Sequence, residues 1–135
     1  PRHGVSMKVL VQTFRLLGVD QLHIGGMGKL VGGHEEVHAN YNVCNYKMGV
    51  KPVLGVCSGG LHPGIVHRIM DLVGTDIALQ AGGGVHSHPG RTFGGARALR
   101  QAIDAYMEGV SVKGYSRKHK ELRLALQKWG NKTFR

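Results

Sequence analysis

Cysteine is scarce in this 135-residue chain, with only Cys44 and Cys57 present. Two thiols without a C-x-x-C spacing exclude a disulfide-built scaffold and give no sign of a zinc or redox motif. Both are expected to be reduced, with Cys57 buried. Aromatic residues make up 6% of the chain and include one tryptophan, which leaves no row of rings on which nucleobases could stack. No apolar run approaches the roughly 20 residues needed to cross a bilayer, and no charged-then-apolar segment opens the chain. A cytoplasmic protein is therefore the expectation. Acids are few as well, 8 against 18 lysines and arginines, for a net charge of +10. The first residue is Pro1 in place of methionine, as expected of a processed product or a piece of a longer chain.

The 41% of hydrophobic residues suffices for one globular domain at this length. The basic excess is largely terminal: Lys113, Arg117, Lys118, Lys120, Arg123, Lys128, Lys132 and Arg135 stand against Glu121 alone. Leu122, Leu126 and Trp129 recur among them at helical spacing, which predicts an amphipathic helix with a solvated basic face. An RNA-binding tail is the less favoured reading, so a nucleic-acid partner is not expected. The chain divides into 1–112, which carries the repeated pattern described next, and a basic helical segment, 113–135, packed on it.

That pattern is an apolar strand, a glycine loop, and a helix. An opening helix over 6–17 places Met7, Leu10, Phe14 and Leu17 on one face and stops at Gly18. Residues 19–24 read as a strand with the loop Gly25-Gly26-Met27-Gly28-Lys29, followed by a polar helix within 35–46. Residues 51–57 form the next strand, with Val53, Leu54 and Val56 expected inside. Its loop is Ser58-Gly59-Gly60, and a helix from Pro63 runs through Ile65, Ile69 and Leu72 to Gly74. The strand 76–81 precedes Gly82-Gly83-Gly84, and a helix over 96–107 turns Leu99, Ile103 and Tyr106 inward.

Glycine leaves backbone N–H groups uncovered, so an anion can approach them closely; two such loops in consecutive units imply a phosphorylated ligand. Strands alternating with helices imply parallel pairing through right-handed crossovers. Three strands cannot close a barrel, but an eight-stranded β/α barrel of about 250 residues places its phosphate loops after strands seven and eight. The predicted fold class is thus α/β, the C-terminal part of a (β/α)8 TIM barrel from helix five through strand eight. Such a part would expose a sheet edge and face, and would dimerise or need its other half.

Six ordered segments now carry a family resemblance. They are Gly18-Val19-Asp20-Gln21-Leu22-His23, Gly28-Lys29-Leu30, Lys51-Pro52-Val53, Cys57-Ser58-Gly59-Gly60-Leu61-His62-Pro63-Gly64, Gln80-Ala81-Gly82-Gly83-Gly84-Val85-His86-Ser87-His88-Pro89 and Gly95-Ala96-Arg97-Ala98-Leu99-Arg100-Gln101-Ala102. Together they resemble the C-terminal part of the ribulose-1,5-bisphosphate carboxylase (RuBisCO) large subunit, most of all the archaeal form III. The likeness covers nearly all of this chain and the last third of a typical large subunit.

The resemblance implies addition of CO2 to the enediolate of ribulose 1,5-bisphosphate to give 3-phosphoglycerate, in a homodimer or higher oligomer of the full subunit. It makes Lys29 the catalytic lysine of the mobile loop. An ammonium on a flexible stem can meet charge that appears only in the transition state. It makes His23 a phosphate neighbour, Ser58, Gly59 and Gly60 the substrate-contacting turn, and Gly82 and Gly83 the second phosphate loop. It also implies Mg2+, whose ligands lie upstream in the family and have no counterpart here. His62, His86 and His88 neighbour the loops and orient them or bind ligand.

This chain departs from the family pattern at Gly26-Met27 and at Val31, where the lysine loop is one residue short. That departure keeps open a RuBisCO-like enolase or isomerase of sugar phosphates. A zinc hydrolase is a more distant alternative, because His34-Glu35-Glu36-Val37-His38 fits H-E-x-x-H, which sets two imidazoles on one helix face beside a glutamate base.

Overall fold

The computed structural model describes residues 4–27 and 33–133. The elements in order are α1 (Met7–Leu16), β1 (Gln21–Gly25), α2 (Gly33–Asn45), β2 (Leu54–Ser58), α3 (Val66–Val73), β3 (Ile77–Gln80), α4 (Gly83–His86), α5 (Arg91–Met107), α6 (Val112–Tyr115) and α7 (Lys120–Trp129). The three strands form one parallel sheet in the order β1-β2-β3. Spatial order equal to chain order, with right-handed crossovers, puts every connecting helix on the same side of the sheet. That is the arrangement of a barrel wall; a doubly wound sheet reverses its order to cover both faces.

The two faces of the sheet differ accordingly. Gly55, Cys57, Ile77, Leu79, Leu22 and Ile24 look toward the helices and join a core with Val37, Val43, Ile65, Val66, Ile69 and Val73. Gln21, His23, Leu54, Val56, Ser58, Ala78 and Gln80 alternate with them on the other face, and none is buried. The expectation for the middle strand is corrected here. Val53 is buried, whereas Leu54 and Val56 are only half-buried, because strand alternation turns them to the uncovered face. Both cysteines are buried and free, and burial, with Cys44 nearby, pushes the Cys57 thiol up to about 11.

The opening helix also differs from expectation. Its buried residues are Val11 and Arg15, while Leu10, Phe14 and Leu17 are exposed by 36%, 40% and 73%. Arg15 decides the orientation. Its guanidinium donates to the carbonyls of Val43 (2.7 Å), Tyr46 (2.8 Å), Lys51 (3.0 Å) and Val50 (3.2 Å). These groups end α2 and line the link to β2, where a helix leaves carbonyls unpaired and its dipole favours a cation.

Helix α5 starts five residues earlier than the 96–107 expected. The pair Gly94-Gly95 reads as a breaker in sequence, yet it lets the helix pass closely over the preceding turn. A Cβ on Gly95 would lie 2.0 Å from the Val85 carbonyl oxygen, and one on Gly94 would lie 2.8 Å from the His88 ring. Leu99, Ile103 and Tyr106 pack half-buried against the main core. Helix α7 lays Leu122, Ala125 and Trp129 on Ala98 and Ala102 of α5, as the spacing of Leu122 and Trp129 predicts.

Candidate phosphate cleft

Parallel strands deliver all their C-terminal ends to one edge of the sheet, and the chain's glycine loops leave from there. Two close approaches join these loops. A Cβ on Gly26 would sit 1.9 Å from the Ser58 carbonyl oxygen, so the loop after β1 lies directly on the end of β2. A Cβ on Gly84 would sit 2.1 Å from the Leu61 carbonyl oxygen and 2.7 Å from the His62 Cα, so the turn after β3 lies on the turn after β2. On the uncovered sheet face, His23 Nε2 meets Ser58 Oγ, 35 residues away in the chain.

Between the second and third loops opens a cleft of about 450 Å³. Ser58, Gly59, Gly60, Gln80, Gly82, Gly83 and Ser87 line it, with Trp129 as a further wall. The glycines divide by their reason for being glycine. Gly59 and Gly60 take φ of 92° and 68°, a left-handed turn disfavoured for side-chain-bearing residues. Gly84 is a contact glycine. Gly82 and Gly83 satisfy neither reason: φ is not positive at either, and a Cβ on either would meet nothing within 4 Å. Their bareness leaves the backbone open to the cleft.

Five of the expected substrate residues, Ser58, Gly59, Gly60, Gly82 and Gly83, therefore share one cleft. His23 does not line it and reaches it through Ser58; its own side borders a separate cavity beside Gly25 and Glu36. Lys29 lies outside the described residues. A larger cavity, about 630 Å³, sits on the flank between α3, α5 and the C-terminal segment, away from the glycine loops. The H-E-x-x-H alternative finds no support. His34 and His38 stand exposed on α2, His38 Nδ1 lies 3.3 Å from the Asn42 amide, and no group of three potential ligands converges among the described residues.

Two histidines hold the turns to α7. His62 Nδ1 accepts from the Gly64 N–H (3.2 Å), which leaves the proton on Nε2 to donate to the Lys132 carbonyl (2.8 Å). His88 repeats the device, Nδ1 accepting from the Gly90 N–H (2.8 Å) and Nε2 donating to the Glu121 carbonyl (2.9 Å). Trp129 stacks on His62 with ring centroids 5.4 Å apart and tilts against His88 at 6.2 Å. His86, the third loop histidine, faces Thr92 Oγ1 at 3.1 Å. The histidine positions are visible in sequence, but nothing there ties Trp129 to the glycine loops, since its helical spacing marks it only as a buried face.

Burial draws His62 below its ordinary value of 6.5, against the opposing hydrogen bond to Lys132 and with help from Arg68. Burial likewise lowers His67, against Asp71. For both, the unfolded chain takes up protons first, so the stability of the neutral forms is intact above pH 6.5 and is lost as pH falls through the lower folded value. Thermal melts between about pH 8 and pH 5 are expected to show this decline. His62→Gln should flatten it in part, the remainder belonging to His67; an unchanged profile would refute the assignment.

The family model that matches residues 1–129 is the ribulose bisphosphate carboxylase large chain, catalytic domain. The ribulose bisphosphate carboxylase of Thermococcus onnurineus is 45% identical over 98% of this chain and 34% of its own length. The octameric ribulose-1,5-bisphosphate carboxylase/oxygenase of Pyrococcus horikoshii superposes with a TM-score of 0.88 at 42% identity, over 96% of this chain and 32% of that one. A rubisco-like protein of Alicyclobacillus acidocaldarius, MtnW, gives 0.85 at 33% identity, over 95% and 33%. The chain thus spans about a third of the length of the relatives it matches.

Proposed function

Because the chain belongs to the ribulose bisphosphate carboxylase large-chain family, with its strands and helices part of a TIM barrel, we propose that it carries the phosphate-binding loops and the mobile-loop lysine of a carboxylase. In this reading the full subunit adds CO2 to the enediolate of ribulose 1,5-bisphosphate and releases 3-phosphoglycerate. The observation that carries the proposal is the bare backbone of Gly82 and Gly83 facing a cleft shared with Ser58, Gly59 and Gly60. Amides there donate to one phosphate. The Ser58 hydroxyl, oriented by His23, takes a further substrate oxygen, and Lys29 brings its ammonium over the reacting carbons as the loop closes and excludes water.

Magnesium supplies charge stabilisation to oxygens of the enediolate when bound. The described residues do not fit such a site, since no three His, Cys, Asp or Glu side chains converge among them. The ion belongs in this reading to residues outside this chain. The uncovered sheet face and the exposed Leu10, Phe14 and Leu17 of α1 and its end support a subunit that is completed by further structure and works as a homodimer or higher oligomer.

A RuBisCO-like isomerase of sugar phosphates is the second reading, favoured by the shortened Lys29 loop and consistent with the likeness to MtnW. A chimaera separates the two. With residues 1–129 replacing the matching segment of the Thermococcus onnurineus carboxylase, ribulose 1,5-bisphosphate and labelled bicarbonate are expected to give labelled 3-phosphoglycerate. Lys29→Ala in that chimaera should lower the rate by about 100-fold or more. A folded chimaera that binds phosphate, yields no labelled product, and tautomerises a sulfur-containing sugar phosphate would overturn the carboxylase reading.

A further inference from the structure

The cleft has a wall that comes from outside the strand-loop-helix units. Trp129, the last residue of α7, lines it, and the neighbouring Lys128 sets its ammonium against the carbonyl oxygen of Ser87, itself a lining residue. The same ammonium lies 5.2 Å from the centre of the Trp129 ring. The position is built. His88 holds the first turn of α7 through the Glu121 carbonyl, and His62 holds the chain just beyond its end through the Lys132 carbonyl. Gln101 adds two hydrogen bonds at the helix start, accepting from the Leu122 N–H and donating to Glu121, each 3.0 Å. Gly64 leaves no room for a Cβ, which would lie 1.9 Å from the Gly130 carbonyl oxygen. Four anchors thus fix a lysine at the lip of a cleft whose other polar walls are uncharged: glycine, serine and Gln80.

We propose that Lys128 is a phosphate-binding residue of this cleft, its ammonium turning from the Ser87 carbonyl to the anion held by Gly82 and Gly83. The proposal rests on the phosphate reading of the cleft and assigns the C-terminal helix a direct part in it. The chemistry follows from the geometry. Amide donors orient a phosphate but carry no net charge, and a cation within reach both neutralises the ligand and replaces one neutral hydrogen bond by a charge-assisted one. Lys128 is exposed, so exchanging its carbonyl partner for an anion requires no rearrangement of the helix.

The test is calorimetric titration of inorganic pyrophosphate into the 135-residue chain at low salt, where screening is weak. Lys128→Met is expected to weaken binding by about 5–10-fold, and Lys128→Arg to retain most of it. Lys120→Met removes the same charge from the opposite end of α7 and should change affinity by less than about twofold. Equal losses in Lys128→Met and Lys120→Met would reduce the effect to overall charge and overturn the proposal. So would unchanged binding by Lys128→Met in a chain whose Gly83→Ala variant no longer binds, an outcome that leaves the phosphate reading standing. An unaltered chain that binds no pyrophosphate overturns the phosphate reading itself.

Discussion

Replacement of Arg15 by alanine is expected to lower the stability of this protein by about 3–5 kcal/mol, the largest effect foreseen for any single side chain in it. Arg15 is 2% exposed and donates to four backbone carbonyls between residues 43 and 51, and among the described residues no carboxylate pairs with it. Its charge is held by peptide dipoles at the end of α2. Truncation strands the buried Val43 carbonyl, at a cost of about 1–3 kcal/mol, removes the partner of three part-buried ones, and opens a void between α1 and α2. Thermal unfolding should shift down by roughly 10–20 °C. Arg15→Lys should fall between, because one ammonium cannot reach four acceptors that a planar fork spans. A melting temperature for Arg15→Ala within about 3 °C of the unaltered protein would disprove the role.

Two adjacent glycines should respond in opposite ways to the same added methyl group. Gly84→Ala drives a Cβ to 2.1 Å from one backbone oxygen and 2.7 Å from a backbone carbon, atoms that cannot rotate aside as a side chain can. A loss of about 3 kcal/mol or more is expected, together with loss of phosphate binding as the two turns separate. Gly83→Ala meets nothing within 4 Å and lies in the first turn of α4, so its melting temperature should hold or rise slightly. Phosphate affinity should nevertheless fall by about tenfold or more, because the methyl group enters the space the ligand needs. The comparison needs only melting curves and a phosphate titration of each variant. Destabilisation by Gly83→Ala, or unimpaired binding by it, would break the division between contact glycine and ligand glycine.

The case of α1 shows what pattern reading misses. The stripe Met7, Leu10, Phe14, Leu17 is the face periodicity selects, yet the side that packs is marked by Val11 and an arginine, a residue type that hydrophobic patterning assigns to solvent. Only knowing that four carbonyls converge at the end of α2 reverses that assignment. Leu10, Phe14 and Leu17 of the stripe remain exposed while Met7 packs on the core, and the sheet face bearing Leu54 and Val56 is only half-buried. Both follow from a barrel wall covered on one side.

What the amino-acid sequence determined alone was the alternation of strand, glycine loop and helix. From that alternation follow the parallel sheet and the single edge where the loops gather, while six ordered motifs carry the family resemblance. These are properties of local pattern and spacing, which a linear chain displays directly. Tertiary structure alone decided which glycines lie bare along the cleft and which pack against a neighbouring backbone. It alone brought Trp129 to the cleft wall and Lys128 to its lip, and it alone turned Arg15 inward. Those depend on distances between residues far apart in the chain, and no periodicity within a segment encodes how closely another segment will approach it.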